Sequence, residues 1–188
     1  MKTIALLLIS AFWLPASAQE TPTPQQAKAF LEAHINAEVD INEYNKAYEL
    51  LKSHKPGAIV VDGKDIYKVI EATTVTAYNA GYIYLDTKKL SEDKIKQLTD
   101  DIFSQYKNGM SFSELIERFS MDRNPNAAEL KFTDGQMVPT FEKAVKEHKA
   151  GEVFTVETPD KGWFHIVNKN EDDRQINAIR AEYAVYKN

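Results

Sequence analysis

Residues Thr73–Leu85 and the two helix starts that follow them set the strongest limit on what this chain can fold into. The stretch is rich in β-branched and aromatic side chains, which suit a pleated, half-buried surface. Asn79-Ala80-Gly81 interrupts it, so the pattern predicts two strands, the second being Tyr82–Leu85. Ser91 then takes the N-cap position before a helix over Lys94–Tyr106. Ile95, Leu98, Ile102 and Tyr106 share one face of that helix, and Asn108-Gly109 ends it. Ser111, with Glu114 three residues on, forms a capping box for a shorter helix carrying Phe112, Leu115, Ile116 and Phe119. Strands followed at once by two amphipathic helices call for an α+β arrangement, a small sheet covered by helices.

The flanking segments fill in the order of elements. Met121–Ala128 reads as a loop, and Gly135 and Pro139 punctuate the stretch after it. Thr140–Lys149 reads as a helix closed by Gly151. Glu152–Thr158 and Phe164–Lys169 read as short strands around a Pro-Asp-Lys-Gly turn. Toward the N-terminus, Gln25–Val39 and Asn42–Ser53 have helical patterns, the second stopped by Pro56-Gly57. Ala58–Val61, Asp62-Gly63 and Lys64–Ile70 predict a β-hairpin, although the second arm suits a short helix equally well. The tail, Glu171–Asn188, fits helix and strand alike. The chain therefore divides into a leader over 1–18, a small mainly helical and hairpin region over 19–78, a larger domain over 79–170 and a tail over 171–188.

Met1-Lys2 supplies one positive charge, and apolar runs follow over Ile4–Ile9 and Ala11–Leu14. Ala16-Ser17-Ala18 then presents small residues, the pattern of a cleavable export signal cut after Ala18. The apolar run is short for a bilayer span, so the expectation is a periplasmic or secreted protein without a membrane anchor. A net charge of -5 repels phosphates and argues against a nucleic-acid partner. The chain has no cysteine, which excludes disulfides, thiolate-held zinc and thiol catalysis. No phosphate loop, His-Glu-x-x-His helix or EF-hand spacing occurs, so no cofactor is expected. Asp100-Asp101 and Asp172-Asp173 are adjacent pairs that point apart on a helix and read as solvated surface. His34, His54 and His148 read as surface residues as well.

Four fragments in the right order carry a resemblance to the parvulin, or PpiC-like, peptidyl-prolyl isomerases. Asn108–Asp122 places Gly109, Phe112, Glu114-Leu115 and Ser120-Met121-Asp122 as that family places a glycine, a buried aromatic, Glu-Leu and Ser-x-Asp. Gly135–Ala144 resembles its Gly-x-Met-x-x-x-Phe-Glu-x-Ala. Lys149–Glu152 is similar to its Lys-x-Gly-Glu, and Gly162–Val167 to its Gly-aromatic-His-Ile-Ile. The resemblance covers roughly Ala80–Asn170. It implies a small antiparallel or mixed sheet flanked by helices, preceded here by the small N-terminal region. Three departures stand out. Tyr82 occupies the place of the family's first histidine. Ala127-Ala128-Glu129-Leu130-Lys131 replaces a glycine-rich turn and is one residue short. Gly162–His165 carries one residue more than usual.

The resemblance implies that Met137 and Phe141, with Leu130 beside them, form an apolar cup for a proline ring. Without it, both Met137 and Phe141 read as ordinary core residues. Asp122 corresponds to the position facing the substrate carbonyl, with a turn-capping Asp as the plainer reading. His165 matches the family's second histidine. With Tyr82 in place of the first, a Tyr-His-Asp network is an open arrangement, because a phenol both donates and accepts. The implied partners are extended or unfolded chains containing Xaa-Pro bonds. The altered positions leave a second reading open, a non-catalytic chaperone or peptide-binding module on the same scaffold.

Overall fold

A computed structural model describes residues 21–34 and 36–187; the expected export signal lies outside them. In chain order the elements are α1 (Pro24–Ala33), β1 (Ala37–Asn42), α2 (Lys46–Leu51), β2 (Ile59–Asp62), β3 (Asp65–Asp86) and α3 (Glu92–Lys107). They continue with α4 (Phe112–Phe119), β4 (Leu130–Thr133), α5 (Pro139–Glu147), β5 (Val153–Thr158), β6 (Trp163–Lys169) and β7 (Arg174–Val185). The fold is α+β. The strands form one antiparallel seven-stranded sheet in the order β1-β7-β3-β6-β5, with β2 and β4 also paired to β3.

β3 organises the sheet. Asn79-Ala80-Gly81, expected to break it, lies inside a continuous strand of 22 residues. The polar group there is satisfied by side chains distant in sequence. Buried Asn79 donates to Glu171 at 3.0 Å and accepts from the Asn170 amide at 2.9 Å. Gly81 is needed for close approach and not for a turn. A Cβ there would come within 3.1 Å of both the Ala128 carbonyl oxygen and the Phe112 ring. Gly81→Ala therefore overpacks the contact between β3, α4 and the loop before β4. It is expected to cost about 1–3 kcal/mol, read as a lowered midpoint in urea unfolding. The strand runs unbroken through residues 78 and 79, where the sequence reading set a boundary, and β7 joins the tail to the same sheet.

The helix expected over Gln25–Val39 stops at Ala33, and residues 37–42 become β1. The Asn36 amide donates to the carbonyl of Leu31 at 2.7 Å just past that end. β1 then pairs along its full length with β7, a partner that helical periodicity cannot reveal. α2 is shorter than expected, capped at its start by Asn45, whose side chain accepts from Ala47 N. The arm after Asp62-Gly63 is strand, as the hairpin reading held. α3 and α4 begin at their predicted caps, Ser91 and Ser111, and the capping box with Glu114 is formed on both sides.

Alternation along the strands assigns the two faces of the sheet. Ile83 and Leu85 on β3, with Phe164 and Ile166 on β6, pack beneath Ile95 and Ile102 of α3 and Phe112 and Leu115 of α4. The opposite face presents Tyr78, Ala80, Tyr82, Phe154, Val156 and Val167 to Phe141 and Val145 of α5. The other half of β3, with β1, β2 and β7, carries its own core: Leu51, Val69 and Ala181 lie on the α2 side, and Ile66 lies against Ala27 and Leu31 of α1.

Candidate functional site

On the α5 side of the sheet a cleft of about 530 Å³ opens where β3, β4, β6 and the start of α5 converge. Tyr82 and Tyr84 are two residues apart on β3 and so present to the same face, and His165 sits opposite Tyr84 on β6. Leu130 opens β4. Met137 and Val138 occupy the turn before α5, so Met137 is not helical, and Phe141 lies within α5. All six residues singled out from the sequence, Tyr82, Asp122, Leu130, Met137, Phe141 and His165, line this one cleft. Tyr84, Asn124, Gln136, Val138 and Trp163 complete it.

The floor is aromatic and apolar. Phe141 is 2 % exposed and stands edge-on to Tyr82 and to His165, with ring centroids 6.3 and 5.6 Å apart. The His165 ring lies between Tyr82, Tyr84, Phe141 and Trp163, with centroids 5.5 to 6.2 Å away. Met137, Val138 and Leu130 are half-buried, which leaves part of each side chain facing the opening.

The rim is a continuous polar chain. Asn124 Nδ2 donates to the Tyr82 hydroxyl at 2.8 Å, and that hydroxyl donates to Asp122 Oδ2 at 2.7 Å. Ser120 Oγ donates to Asp122 Oδ1 at 2.9 Å while accepting from the backbone N–H of Tyr84 at 3.0 Å. Backbone bonds from Met121 N to the Tyr84 carbonyl and from Tyr82 N to the Ala127 carbonyl lash the loop to the free edge of β3. Burial pushes the Tyr82 phenol up to about 12; the Asp122 carboxylate adds to the rise and Asn124 opposes it. The phenol therefore keeps its proton at neutral pH and holds Asp122 as a hydrogen-bond acceptor.

His165 stands outside this chain. Its Nδ1 is buried with no hydrogen-bond partner among the described residues, a costly state for a polar atom. Burial lowers the imidazole pKa to about 4, and the nearby Asp122 charge only partly offsets this. The folded protein thus favours the neutral ring. Between pH 6.5 and about 4 the unfolded chain takes up a proton that the folded chain refuses. The contribution to stability is complete above pH 6.5 and is lost as pH falls through that window, amounting to about 3 kcal/mol. Urea midpoints measured from pH 7 to pH 4 are expected to fall more steeply for the parent than for His165→Phe.

The altered turn is explained by backbone geometry. Among the described residues no non-glycine residue has positive φ, so Ala127 and Ala128 make their turn without the conformation that demands glycine. Ala127 is 1 % exposed and its carbonyl is used by Tyr82 N. Sequence reasoning passed over Tyr84, Asn124, Gln136, Val138 and Trp163. Asn124-Pro125 is a turn signal, which concealed its bond to Tyr82. Trp163 lies in the same Gly162–Val167 fragment as His165, two residues away on the same strand face.

Residues 64–173 match the family model described as a PPIC-type PPIASE domain, more than half of the chain. The match takes in all of β3 and ends just before β7. No curated protein matches the chain.

Proposed function

The chain belongs to the PPIC-type peptidyl-prolyl isomerase domain family, and on that footing we propose that it accelerates cis–trans exchange of Xaa-Pro bonds in extended segments of exported proteins. The observation that carries the reading is an apolar cup bordered on one side by a hydrogen-bonded carboxylate and phenol. The N-terminal pattern supports export, and the family implies peptide substrates. Among the described residues no helix is long and apolar enough to cross a membrane.

The reaction breaks no covalent bond. Rotation about the amide faces a barrier of roughly 18–20 kcal/mol because the planar form is resonance-stabilised. The enzyme must bind the twisted amide better than either planar form. In this reading Met137, Phe141, Leu130 and Val138 hold the proline ring. Planar resonance puts partial negative charge on the carbonyl oxygen, and twisting removes it. A carboxylate at the rim, Asp122, disfavours the planar form electrostatically. Tyr82, Asn124 and Ser120 keep that carboxylate in place. His165, held neutral by burial, keeps charge out of the wall of the cup beside the bound amide.

Two-dimensional NMR exchange on a panel of Xaa-Pro tetrapeptides tests the proposal. Exchange peaks that strengthen on addition of catalytic amounts of protein are the expected result. A folded protein that leaves every peptide at its uncatalysed rate would remove the enzyme reading. The second reading, a non-catalytic peptide-binding module, is favoured by one observation: His165 has no bond to Tyr82 or Asp122 among the described residues. It predicts suppressed aggregation of a denatured client without faster exchange.

A further inference from the structure

β3 has a gap in its pairing. On one edge it pairs with β7 over Asp65–Ala77 and then with β6 over Ala80–Asp86. Asp65–Lys68 pairs with β2, and Ala77–Ala80 with β4. Asp65 and Ala77 each have β7 on one side, so β2 and β4 both lie on the opposite edge. Val69 is still bonded to Gly57 and Ala58 there. Glu71–Thr76 then has no strand on that edge among the described residues, over roughly 20 Å. On the other edge the β7 pairing runs on past a register shift between Val69 and Glu71.

Such an edge presents a row of unpaired N–H and C=O groups that template a further strand. Edges are ordinarily blunted by Lys, Pro, other charges or bulges; Glu-Ala-Thr-Thr-Val-Thr has no Lys or Pro, and its one charge, Glu71, lies at the end next to the register shift. Glu71, Ala72 and Thr74 are exposed. Thr74–Thr76 also border a hollow of about 630 Å³ whose other walls are residues 38–40 of β1, Gln175 of β7 and residues 133–136. Gln136 also lines the proline cleft, so the two sites share a wall.

We propose that Glu71–Thr76 is a docking edge for an extended client segment, which adds to β3 as a strand between β2 and β4 while a neighbouring Xaa-Pro bond occupies the cleft. The occupant is a polypeptide backbone, because unpaired main-chain groups are what the edge offers; its side chains are left largely unspecified. The inference rests on the prolyl-isomerase reading for the identity of the client, but the edge is tested separately from catalysis.

Amide hydrogen exchange of the full chain is followed by NMR alone, with a saturating Xaa-Pro tetrapeptide, and with reduced, carboxymethylated α-lactalbumin as a permanently unfolded probe. Expected is a slowing of about tenfold or more at alternate amides within 71–76 with the unfolded probe and none there with the tetrapeptide. Protection confined to cleft residues such as Tyr82 and Met137 would overturn the edge while leaving the isomerase reading intact. Protection at 71–76 that rises with protein concentration and without probe would assign the edge to a second copy, and would also overturn the proposal. Absent tetrapeptide exchange with protected edge amides would sink the isomerase reading alone.

Discussion

Asp122→Ala is expected to reduce enhanced Xaa-Pro exchange by about a hundredfold while the protein stays folded. The side chain is half-buried on a loop, outside the hydrophobic clusters, so its removal opens no core cavity. Tyr82 keeps its bond from Asn124, which limits the structural cost. Asp122→Asn separates the two contributions, since it preserves shape and loses the charge. If electrostatic pressure on the planar amide is the source of rate, the amide variant falls nearly as far as alanine. If the carboxylate serves only to position Tyr82, asparagine restores most of the rate. Met137→Ala should cost about tenfold, chiefly through weaker peptide binding and with little change in maximal rate. Exchange measured by NMR over a range of peptide concentrations distinguishes these outcomes, and unchanged exchange in both alanine variants would place the chemistry elsewhere.

Lys169→Met is expected to be the most damaging substitution to stability outside the hydrophobic core. Lys169 is 2 % exposed and lies on β6 beneath the C-terminal end of α5. Its ammonium donates to the carbonyls of Val145 at 2.9 Å and His148 at 2.7 Å and pairs with Asp173 at 2.7 Å. A cation at a helix C-terminus satisfies orphan carbonyls and opposes the helix dipole. Methionine fills similar volume but leaves the carbonyls and the carboxylate without their partner, at a cost of about 3 kcal/mol. The thermal midpoint should drop by about 10 °C. Because α5 carries Phe141, loosening it should also weaken peptide binding in the cleft. A calorimetric midpoint within a degree of the parent would show that the buried cation contributes nothing net.

The two predictions draw on different kinds of information. Asp122, Met137, Phe141 and His165 were legible because each sits in a short fragment whose order and spacing resemble a known family. The helices α3 and α4 were legible because their caps and apolar stripes are local: Ser91, Ser111 and Glu114 act within one turn of themselves. Lys169 was not legible, since nothing near it in sequence distinguishes it from a surface lysine. Its partners, Val145 and His148, are reached only when β6 passes under α5.

The amino-acid sequence by itself determined the capped helices, the Asp62-Gly63 turn, the α+β class and six of the residues that border the cleft. These depend on interactions spanning a few residues, or on patterns that repeat along one element. Tertiary structure alone decided that Asn79-Ala80-Gly81 continues a strand, that residues 37–42 pair with the tail, and that Tyr82 joins Asn124 and Asp122 while His165 stands apart. Each of those outcomes depends on groups brought together from distant parts of the chain: Asn170 and Glu171 at Asn79, Phe112 and Ala128 at Gly81, and the loop after α4 at Tyr82. Local propensity is small beside the desolvation and packing energies that such meetings settle.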